Sequence, residues 1–141
     1  MAMVLADVGA AKVLEAYFNN SWPTSKDLTL KLFVNDVTPD DTYVAGDLTE
    51  AADGGYAAKT LTNGSWTVSK VSNIEQAAYA QQTWTFTGAL NGGATVYGWY
   101  IVDDDGTLIF AERNSVSFTP AVSGDTIKVT PTIQLSKGTP T

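Results

Sequence analysis

The chain of 141 residues has no cysteine and no histidine. Without cysteine no disulfide can form, and thiol usage says nothing about the redox compartment. Zinc centres built on Cys and His are excluded, and so are Cys–His and Ser–His–Asp catalytic systems. Histidine is the side chain that ordinarily titrates near neutral pH, so nothing here does so without a large environmental shift. Positive charge is also scarce. Eight Lys plus Arg, with Arg113 the single arginine, stand against fifteen Asp plus Glu, for a formal net charge of −7. Phosphate backbones are held by clustered Lys and Arg, so neither nucleic acid nor an anionic membrane is an expected partner. No stretch approaches the roughly 20 apolar residues that span a bilayer. No strand–glycine–helix–Lys context surrounds Gly54-Gly55 or Gly92-Gly93, which leaves no phosphate-cradling loop.

The remaining composition is that of one folded domain over 1–141, with 44% hydrophobic and 16% charged residues. Residues 1–22 read as an N-terminal arm and helix, 28–135 as a β-sandwich and 136–141 as a tail. The opening MAMVLADVGAAK has no basic segment, and Asp7 interrupts its apolar run, so it reads as a helix entry and not as a signal peptide. Asp7 is the expected N-cap. Ala10, Val13, Leu14, Tyr17 and Phe18 fall on one face at helical spacing, which predicts an amphipathic helix over 8–18 ended by Asn19, Asn20 and Pro23.

Beyond Pro23 the period is two. Leu28, Leu30, Leu32 and Val34 alternate with Thr29, Lys31 and Phe33, predicting a strand with one buried face. The segment 37–55 is a long loop rich in Asp, Thr and Gly. Asn63-Gly64 predicts a hairpin between a strand near 56–61 and its partner over 65–70. A strand over 82–90 carrying Trp84 and Phe86 turns back at Asn91-Gly92-Gly93. VYGWYIV (96–102), apolar on both faces, predicts a central strand, with Trp84 and Trp99 in the core. Further strands are expected at 108–111 and 115–118, and a last one over 127–135 with Pro131 at an edge or bulge. The fold expected is mainly β: an antiparallel, jelly-roll-like sandwich with one N-terminal α-helix.

Two acidic clusters could carry chemistry. With Gly106 as the loop glycine, Asp103, Asp105 and Glu112 match calcium-loop positions, but Ile101 occupies the first ligand position and the flanks are strands. An acidic β-turn is the reading adopted. Asp40, Asp41, Asp47, Glu50 and Asp53 crowd the long loop; a glycosidase would need two of them facing each other across a cleft, and a solvated loop is preferred. Trp22, beside Pro23, is the tryptophan best placed for the surface. No catalytic residue, cofactor or metal is assigned.

The strings LTLKLFVNDVTPDDT (28–42), GGYAAKTLTNGSW (54–66), QQTWTFTGAL (81–90), VYGWYIVDDDGTLIFAE (96–112) and GDTIKVTPTIQL (124–135), with the N-terminal ADVGAAKVLEAYFN, resemble a family of small virion proteins of tailed bacteriophages and cyanophages. The resemblance implies a capsid cement or decoration protein without catalytic residues. Such a protein is a β-sandwich, often a homotrimer, that binds major capsid protein on the outer surface of the head and bridges capsomers. The alternatives are a tail, baseplate or receptor-binding subunit, or a carbohydrate-binding or enzymatic β-sandwich module. The expected contact residues are Met3, Val4 and Leu5 towards the shell and Tyr17, Trp22 and Phe33 within the trimer. The outer side of the helix, the 37–55 loop and the 136–141 tail complete the expected contacts.

Overall fold

Val96–Val102 (β7) is apolar at nearly every position, and it stands at the centre of the molecule, buried on both faces. The computed structural model describes residues 3–18, 26–72 and 74–135. β7 pairs antiparallel with Leu28–Phe33 (β2) on one side and Leu108–Phe118 (β8) on the other. Val4–Leu5 (β1) adds to the far edge of β8, and Lys59–Leu61 (β3) to that of β2. The result is a five-stranded sheet in the order β1-β8-β7-β2-β3. Thr67–Val71 (β4), Ile74–Ala78 (β5) and Thr132–Leu135 (β10) form a three-stranded sheet, and Gln82–Thr85 (β6) pairs with Thr126–Val129 (β9). Every pairing is antiparallel. The antiparallel β fold with one helix near its N-terminus is therefore as expected.

Alternation places the side chains of the large sheet on two faces. Leu30, Leu32, Trp99, Ile101 and Phe110 meet Trp84, Phe86, Ile127 and Val129, forming the main core. On the opposite face Phe33, Tyr100, Val102, Leu108 and Ala111 lie beneath Ala6 and Leu48. Phe33 is completely buried there. Its ring fills the space that a β-carbon on Gly98 would take, 2.5 Å from that position. The strand β2 thus has two buried faces at its end, not one, and Phe33 cannot serve as a trimer contact.

Four further expectations are corrected. The Asn63-Gly64 turn forms, with the Ser65 N–H donating to the Thr62 carbonyl at 3.2 Å, but β3 and β4 do not pair. Trp66 packs edge-on against Tyr79, 5.2 Å between ring centres, and draws the chain towards β5, a strand the sequence reading did not include. At Asn91-Gly92-Gly93 the chain turns, but β6 pairs with β9 and not with β7, because buried Phe86 and Leu90 anchor a ten-residue connection (86–95) at the sandwich's end. The two short strands expected at 108–111 and 115–118 are one continuous β8. Pro131, which has no N–H for a ladder, divides the last strand into β9 and β10, and these belong to different sheets.

Candidate functional site

The helix α1 spans Asp7–Phe18. The Ala6 carbonyl accepts from the Ala10 N–H at 2.8 Å, so Ala6 holds the cap position. Asp7, the expected cap, is instead the first helical residue, where its charge suits the helix N-terminus. The face that docks also differs from the expected one. Gly9 is buried against the backbone of β8: a β-carbon there would lie 2.6 Å from the Ile109 carbonyl oxygen and 2.7 Å from its α-carbon. Ala6, directly before the helix, is buried beside it. With two such small residues at the contact, the helix lies flush on the sheet and turns its apolar stripe aside. Val13 remains 42% exposed and Leu14 58%, and Val8 and Leu5 are exposed as well. Of the apolar face expected on the helix, Val13 and Leu14 are therefore surface.

Of the expected contact residues, Met3 packs against the main core and Val4 is half-buried at the sheet edge, whereas Leu5 faces out. Tyr17 lies on α1 with its side chain outside the described residues, and Trp22 and the 136–141 tail are also outside them. A second exposed region is the three-stranded sheet. No residue of β4, β5 or β10 is buried, and Val68, Val71 and Leu135 are each at least half exposed.

The acidic turn is built by its own first residue. Buried Asp103 accepts through Oδ1 from the N–H groups of Asp105 at 3.0 Å and Thr107 at 2.7 Å. Asp104 pairs with Lys26, and Asp105 lies 3.7 Å from Lys12. The carboxylates of Asp103, Asp104 and Asp105 converge, but Glu112 is not among them: it stands on β8 opposite Trp99. In the long loop, Asp40 and Asp47 accept turn hydrogen bonds from Thr42 and Val44. Glu50 takes the Lys31 ammonium at 2.9 Å and the Tyr56 hydroxyl at 3.1 Å. Burial, with the Glu50 carboxylate nearby, raises the Tyr100 hydroxyl to about 12. These groups tie the loop to the sheet and present no opposed carboxylate pair.

A cavity of about 370 Å³ opens between β8 and β9, lined by Trp99, Glu112, Asn114, Lys128, Thr130 and Thr132. Burial raises the Glu112 carboxyl above its ordinary range. No known family model matches the chain, and neither a curated protein nor a solved structure is similar to it. The sequence reading did not identify this cavity. Its one signal was a carboxylate, Glu112, ending the apolar run LIFA. Among the described residues no helix is long and apolar enough to cross a membrane.

Proposed function

We propose that the chain is a non-catalytic virion subunit, a cement or decoration protein that docks on the outside of a tailed-phage head and bridges neighbouring copies of the major capsid protein. The observation that carries the reading is the exposure of two adjacent apolar side chains of α1, Val13 and Leu14, where Gly9 makes the contact with the sheet. Exposed apolar side chains of this kind are available to a protein partner. The sequence resemblance to phage virion proteins supplies the partner. A three-stranded sheet with no buried residue on either face supports self-association, as in the homotrimer that the resemblance implies.

Cementing requires contact area and no reactive group. An interface of about 1,200–2,000 Å² gives specific docking, and many copies on one lattice reinforce modest single affinities. A net charge of −7 keeps the subunits apart before assembly and suits a basic docking surface. The test is co-sedimentation with expanded, empty heads of the phage that encodes the chain, followed by imaging of the particles. Saturable density on the head exterior supports the reading. Density at the tail or baseplate, or no binding, overturns it.

A further inference from the structure

We propose that the free edge of β4 is a self-association surface, pairing antiparallel with β4 of a second copy about a two-fold axis at Ser69. The inference deepens the self-association part of the reading above and rests on it, but it involves no capsid.

Among the described strands β4 is the most open. All five of its residues are exposed, and Val68 is 74% exposed. β5 lies along one side, and the other side presents backbone N–H and C=O groups with no neighbouring strand, an arrangement that templates a further strand. Pairing with β5 is continuous from Thr67 to Val71, so neither a bulge nor a proline blunts the edge. The large sheet ends in β1 and β3, of two and three residues, which offer shorter ladders. The opposite edge of the small sheet is β10, whose first residue, Thr132, lines the cavity beside β8 with Glu112 and Asn114. β10 is therefore not open along its length. A contact made by one edge alone is isologous and two-fold.

Charge selects a second copy as the occupant. Lys70 and Glu75, cross-strand partners, are the only charged residues of β4, β5 and β10. A chain of net charge −7 repels its copies, and at this neutral patch two of them meet without that penalty. With the axis at Ser69 all five residues overlap. Val68 then faces the second copy's Lys70, whose alkyl stem covers the exposed valine. An axis at Lys70 would set two ammonium groups directly opposite each other, which is destabilising. On the other face of the sheet Gln134 donates to Gln76, and Gln76 to Ser69, each at 3.4 Å. That row ends in the Ser69 hydroxyl. Across the axis it continues into the second copy's Ser69, since a hydroxyl both donates and accepts. The axis joins two copies, so a homotrimer needs a second contact elsewhere. One five-residue edge is a small interface, and its affinity is correspondingly weak.

The test is sedimentation equilibrium of the isolated chain at concentrations up to about 1 mM. The proposal expects a monomer–dimer equilibrium within that range. Val68→Glu sets a carboxylate opposite the second copy's Lys70 and tightens the dimer by about three- to tenfold, although the net charge grows. Val68→Lys sets like charges opposite each other and weakens it by a similar factor. Position 68 is exposed, so both variants keep the fold. The chain has no cysteine, so Ser69→Cys provides a single thiol per copy. Directly opposed antiparallel residues lie about 4.5–5.5 Å apart at their α-carbons, within the span of a disulfide. Mild oxidation should link two copies of Ser69→Cys faster than two of Val116→Cys, a control at a position 78% exposed. A chain that stays monomeric, equal dimerisation of the two Val68 variants, or Val116→Cys linking as fast as Ser69→Cys each overturns the proposal. No heads enter this test, so a chain that dimerises but does not bind them contradicts the docking reading and leaves the β4 contact standing.

Discussion

Gly9 sets its bare α-carbon against Ile109, whose carbonyl oxygen lies 2.6 Å from the place a β-carbon would occupy. The obstacle is strand backbone, which cannot swing aside like a flexible side chain. Gly9→Ala must lift the helix from the sheet even though alanine is the better helix former. We expect a loss of about 1–3 kcal/mol, the usual cost of overpacking, measured by urea denaturation. An unchanged or raised midpoint would show that the helix does not dock through this residue.

The turn between β7 and β8 rests on Asp103, a buried carboxylate that accepts two backbone N–H groups. Asp103→Ala leaves both donors without their partner and costs about 1–3 kcal/mol. Asp103→Asn keeps one acceptor oxygen and costs less. Equal stability of the three proteins in urea would contradict this assignment.

Stability should respond to acid through two carboxylates of opposite sign. Asp125 is held below its ordinary value by hydrogen bonds from the Ala121 and Val122 N–H groups. Its folded-state pKa lies below the unfolded one, so its contribution is present above the unfolded value and lost as pH falls through the folded value. Burial raises Glu112, so the folded state binds its proton more tightly, and stability declines as pH rises from the unfolded value through the folded one. Asp125→Asn should flatten the acid limb of a melting-temperature profile below about pH 4. Glu112→Gln should melt above the parent at neutral pH and converge with it in acid. A Glu112→Gln protein that melts lower at pH 7 would reverse the sign assigned to this group.

The strands and the core were legible in the sequence wherever burial wrote a period. The two-sided apolar run of β7 and the burial of Trp84 and Trp99 follow from residue patterns alone, whereas Pro131 marked an irregularity but not that it divides the last strand between two sheets. Strand partners were not legible. Turn residues such as Asn63-Gly64 bend the chain but do not choose between β2 and β5, and Trp66 on Tyr79 makes that choice. β5 escaped notice because IEQAA carries a single large apolar residue and is half-buried throughout. The helix misled for a related reason. Val13 and Leu14 have the spacing of a core face, and a glycine that costs helix propensity was the sign that the contact lay elsewhere.

The central claim is that the outward stripe on α1 holds the subunit to a shell, and the direct measurement uses a double variant, Val13→Ser with Leu14→Ser. Both side chains are 42% or more exposed, so urea stability should change little. Affinity for expanded, empty heads should fall by at least about tenfold, given roughly 1.5–3 kcal/mol for each apolar side chain buried on docking, and the rise in shell-disruption temperature produced by the parent should disappear. A variant that binds the heads and stabilises them as well as the parent would contradict the account.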